Sequence, residues 1–128
     1  MIEQFERCTL PKAAWTHENH FVVALWYCVN FPLPAAVRRI REGIKTYNIS
    51  TGGENTDTAG YHETITLFYV KVVTEYIITN GVGEVTEEIL IDFLQQPFVV
   101  KGYIHQFYNK ASLMSTEARL KWIAPDME

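Results

Sequence analysis

Nine consecutive apolar or aromatic residues, Phe21-Val22-Val23-Ala24-Leu25-Trp26-Tyr27-Cys28-Val29, restrict what this chain can fold into more than any other feature. A helix over that run is apolar on every side, so other elements must wrap it. A membrane span needs about twenty such residues. The run therefore predicts the central helix of a soluble bundle, with no membrane partner.

The rest of the sequence supplies elements to do the wrapping. The central helix is expected to start between Pro11 and His17, with Thr16 a candidate cap, and to end near Asn30 before Pro32 and Pro34. Val37, Ile40, Ile44 and Tyr47 recur at steps of three and four, which predicts an amphipathic helix over 34–48, closed by Gly52-Gly53. Ile65, Tyr69, Val72 and Tyr76 mark a third long helix over 60–80, stopped by Asn80-Gly81, with Asp57 or Thr58 as candidate caps or turn-bonding residues before it. It is rich in β-branched residues, but a run of this length without internal Gly or Pro favours helix over strand. Shorter helices are expected after Thr86, over 99–108 and after Ser115. The fold class is all-α, a compact bundle of about five to six helices in one domain, 1–128. At 128 residues and 48% hydrophobic content, one real core is affordable.

Composition narrows the partners. A net charge of −4 argues against a general nucleic-acid surface. The one basic cluster, Arg38-Arg39-Ile40-Arg41, reads as a solvated helix face, with phosphate binding as the lesser alternative. Cys8 and Cys28 form no Cys-x-x-Cys pair, so two free thiols in a reducing cytoplasm is the simplest reading, with a disulfide left open. Met1-Ile2-Glu3-Gln4 lacks the basic start of a signal peptide. Oligomeric state and substrate are not legible.

Chemistry concentrates at two helix starts. In Trp15-Thr16-His17-Glu18-Asn19-His20, His17 and His20 fall three apart on one helical face that Ala24 and Tyr27 continue. In Gly60-Tyr61-His62-Glu63-Thr64, His62 shares the inward stripe of the third long helix. An up-down-up order would bring the two starts to the same end. His17, His20 and His62 are then candidate ligands for a divalent metal such as zinc, iron or nickel. Tyr61, Asp57, Glu63 and Tyr27 are candidates to line an adjoining small-molecule site. Glu18 and Glu63 each follow a histidine directly and so point about 100° away from it on a helix. The alternative is a non-enzymatic interaction or structural module whose core histidines are hydrogen-bonded. His105 reads as packing or a hydrogen-bonded ring. Zincin, ferritin-like di-iron, P-loop, dinucleotide-binding and nucleophile-elbow patterns are all absent from the sequence.

The segments Trp-Thr-His-Glu-Asn-His at 15–20, Asn-Thr-Asp-Thr-Ala-Gly-Tyr-His-Glu-Thr at 55–64 and Ser-Thr-Glu-Ala-Arg-Leu-Lys-Trp-Ile-Ala-Pro-Asp at 115–126 together resemble a group of small bacterial proteins of unknown function. That resemblance implies no activity. In architecture alone the chain is loosely similar to three-histidine bundle metalloenzymes of the DinB type, although two histidines here crowd one helix.

Overall fold

The computed structural model describes residues 1–127. Among them there are seven α-helices and no strand: α1 Ile2–Glu6, α2 His17–Asn30, α3 Leu33–Ser50, α4 Glu63–Asn80, α5 Glu87–Leu94, α6 Lys110–Leu113 and α7 Thr116–Leu120. Single 3-10 turns lie at Lys12–Ala14, Pro97–Val99 and Tyr103–Gln106. None of these helices is long and apolar enough to cross a membrane.

The apolar run of α2 is central, as its composition requires. Phe21, Val23, Ala24, Leu25 and Tyr27 are buried on different sides of the helix. Thr16 caps it, its hydroxyl accepting from the Asn19 amide at 3.2 Å. Pro32 then precedes α3, where Pro34 sits in the first turn and needs no amide partner. The stripe of α3 packs inward through Ile40 and Tyr47, with Val37 and Ile44 at its margin. Gly43 lies where a Cβ would come within 2.9 Å of the Phe5 ring, so α1 is seated against α3 there.

Side-chain pairs set the directions. Trp15, just before α2, meets Tyr47 near the end of α3 with centroids 5.3 Å apart, so α2 and α3 are antiparallel. Phe21 packs edge-on against Tyr69 at 5.1 Å, and Cys28 lies beside Thr74 one to two turns further along, so α4 runs parallel to α2. The order is up-down-up, and the starts of α2 and α4 share one end. Both α3 and α4 pack along α2 but touch each other at few places. That spacing leaves a groove between them with α2 as its floor.

Two expectations are corrected. The helix over 99–108 is absent: Gly102, at φ 85°, breaks the stretch into 3-10 turns and extended backbone. The third long helix starts at Glu63 rather than Gly60, and its cap is His62 rather than Asp57 or Thr58. The all-α bundle is as expected, and its seven helices among the described residues include three, α1, α6 and α7, of only four or five residues each. A second, smaller core of Phe68, Ile104, Tyr108 and Leu113 lies on the other side of α4. The C-terminal strap closes it: Tyr108 donates to the Ile123 carbonyl at 2.7 Å, and the Thr64 hydroxyl accepts from the Ile123 amide at 3.1 Å.

Candidate functional site

The groove between α3 and α4 holds a pocket of about 380 Å³. Its floor is Phe21 and Ala24, and its walls are Ile40 and Ile44 from α3 with Ile65, Tyr69 and Val70 from α4. Ile65 and Tyr69 belong to the stripe read from sequence, yet they are only half-buried because they face this space. His17 and His20 stand at one end. The pocket runs on past His20, Ile44, Ile65 and Thr66 into a wider cleft of about 550 Å³ beside Trp15, Tyr61 and His62.

The histidines have distinct duties. His62 Nε2–H donates to the Leu113 carbonyl at 2.7 Å, and Nδ1 accepts from the Ile65 amide at 3.2 Å. Burial lowers its pKa, which keeps the ring neutral. His17 Nε2–H donates to the Val99 carbonyl at 2.5 Å. His20 Nδ1–H donates to the Thr16 carbonyl at 2.7 Å, while its ring lies 3.8 Å from the Trp15 ring. His20 keeps more than a third of its surface open to the cleft, yet desolvation against Trp15 and its neighbours lowers its pKa. With Nδ1 committed, its Nε2 carries a lone pair that has no partner among the described residues.

The expected three-histidine metal centre therefore finds no support among the described residues. His20 and His62 line one cleft, but both nitrogens of His62 are spent on backbone, and His17 is turned to Val99. Among the described residues no group of three or more His, Cys, Asp or Glu side chains could hold a metal ion. Coordination needs lone pairs aimed at one ion; His20 Nε2 and His17 Nδ1 each keep one, on rings held by different carbonyls, and His62 keeps none.

A second cavity, of about 430 Å³, lies on the far side of Tyr61 and is lined by three of the four proposed ligand-site residues. Glu63 takes a two-pronged bond from Arg41, Nε to Oε1 at 3.0 Å and Nη2 to Oε2 at 2.8 Å. Tyr61 donates to Oε1 of the same carboxylate at 2.5 Å. Burial pushes the Glu63 carboxyl up, but the bonds from Arg41 and Tyr61 outweigh it and hold it below the ordinary range. Asp57 lies exposed at the rim and its side chain makes no hydrogen bond among the described residues; Thr56 bonds within the turn, accepting from the Thr58 and Ala59 amides. Tyr27, the fourth candidate, is absent from both cavities. It is buried and donates to Glu6 at 2.7 Å, a bond joining α2 to α1.

Sequence reasoning missed Arg41, Lys45 and Arg119 in this second cavity. Arg41 follows the core-facing Ile40 and carries no local sign that it reaches Glu63, twenty-two residues away. Arg39 does behave as a surface residue, its guanidinium 4.3 Å from the Phe31 ring centre. His105 is exposed. Cys8 and Cys28 are free thiols, and burial raises the Cys28 pKa to about 11.

Fold and site together define an all-helical bundle with an apolar groove and a separate polar cavity. No family model, no curated protein and no solved structure matches the chain.

Proposed function

We propose that this protein binds a small, largely apolar molecule in the groove between α3 and α4, with His20 accepting one hydrogen bond from it. The observation that carries the reading is the pairing of an apolar pocket of about 380 Å³ with the uncommitted Nε2 of His20, the more exposed of the two histidines that line it. Ligand sites are commonly clefts of roughly this size with few polar groups, each fixing orientation. Because Nδ1–H is held by Thr16, His20 offers its Nε2 lone pair, so the favoured ligand carries an O–H or N–H donor on an aromatic or aliphatic body. A reducing, cytoplasmic setting is part of this reading, supported by the two free thiols.

The rival reading, a module whose histidines are structural, has support of its own in His17 and His62, which bond backbone carbonyls. Thermal melts separate the two. Phenol should raise the melting temperature in a concentration-dependent way, and more than toluene does, because binding to the folded state alone is stabilising. Ala24→Leu, which fills the floor of the pocket, should abolish both effects. Equal melts with and without phenol would favour the structural module.

A further inference from the structure

The cavity behind Tyr61 has a charge arrangement that the groove does not share. Three cations line it, Arg41, Lys45 and Arg119, against two carboxylates, Glu63 and Asp57. Glu63 is already saturated by Arg41 and Tyr61. Arg119 donates from Nη1 to the Gly60 carbonyl at 2.8 Å, a neutral partner that positions the guanidinium without cancelling its charge. The Lys45 ammonium stands 5.1 Å from the centre of the Tyr61 ring, and no carboxylate among the described residues pairs with it. One positive charge is left in excess, in a chain whose net charge is −4.

We propose that this cavity binds the carboxylate of a small organic acid, with Lys45 and Arg119 as its charged contacts. The single excess charge suits a group bearing one negative charge. A phosphate dianion would be undercompensated beside Asp57 and Glu63, each a like charge that costs affinity. At about 430 Å³ the cavity holds more than the bare carboxylate, so the acid carries a short organic body. The proposal is independent of the groove, since Lys45 and Arg119 do not line it.

Sodium acetate, titrated into isotope-labelled full-length protein against sodium chloride at matched ionic strength, tests it by amide chemical shifts. Saturable shifts should cluster at Thr56–Tyr61. Lys45→Gln should weaken them about fivefold, the value of one exposed charge pair. Lys45 is exposed, so the variant should keep the wild-type spectrum elsewhere. His20→Ala should leave acetate binding unchanged. Shifts that are linear in acetate, or equal in wild type and Lys45→Gln, would overturn the site. Phosphate binding more tightly than acetate would overturn the assignment to a carboxylate.

Discussion

His62 and Leu113 are joined across fifty-one residues by a 2.7 Å bond from the imidazole Nε2–H to the backbone carbonyl. The other ring nitrogen caps α4 by accepting from Ile65. One neutral side chain thus ends a loop, starts a long helix and holds α6. His62→Ala removes the cap, worth about 1 kcal/mol, and strands the Leu113 carbonyl, worth about 1–3 kcal/mol more. Urea unfolding should show a combined loss of about 2–4 kcal/mol. A loss below about 0.5 kcal/mol, the size of an ordinary surface substitution, would contradict this role.

The same bonds give a pH dependence. The folded-state pKa of His62 lies below its ordinary 6.5, because burial disfavours the charged ring. The unfolded chain then binds the proton more readily than the folded one. Stability should be full above pH 6.5 and fall as pH drops from there towards the lowered folded value. His20 shifts in the same direction and contributes to the same slope. His62→Gln should flatten the slope in part. An unchanged profile would mean that His62 is not desolvated in solution.

Glu63 adds a slope of the same sign in a more acidic window. Its pKa is held below the ordinary 4.5, so its contribution is present above that pH and is lost as pH falls through the folded value. Glu63→Gln should reduce the acid lability of the fold. At neutral pH it should cost about 1–3 kcal/mol, because the half-buried Arg41 loses its charged partner. Equal acid midpoints for wild type and variant would count against the Arg41–Glu63–Tyr61 arrangement.

Gly60 fixes the loop that carries Tyr61. Its φ is +81°, and a Cβ there would lie 1.9 Å from the Glu54 carbonyl oxygen. Gly60→Ala should destabilise the protein by more than the ~1 kcal/mol of left-handed strain alone, since backbone must also move. Amide exchange over residues 51–62 should quicken. Wild-type exchange in the alanine variant would show that the loop is not held as described.

Much of this architecture is visible in the residues themselves. The apolar run of α2 announces a central helix, and Thr16, Thr86 and Ser115 all cap where their positions suggest. What stays hidden depends on distant partners. Asp57 looks like a cap, but Gly60 turns the chain and leaves the capping position to His62, whose competence depends on Leu113 lying behind it. Arg41 looks like one more surface arginine until α4 places Glu63 beside it. Three histidines at two adjacent helix starts suggest a metal, but ring orientation is set by which carbonyl each nitrogen finds, and spacing alone does not encode that.

The most direct test of the account is an amide chemical-shift titration of the isotope-labelled protein with phenol at pH 7.5. There His20 is neutral, given its lowered pKa. The account predicts saturable shifts at Phe21, Ala24, Ile44, Ile65, Thr66 and Tyr69, with toluene binding more weakly and His20→Ala erasing the difference between the two. Shifts absent from those residues, or a preference for phenol that survives His20→Ala, would contradict it.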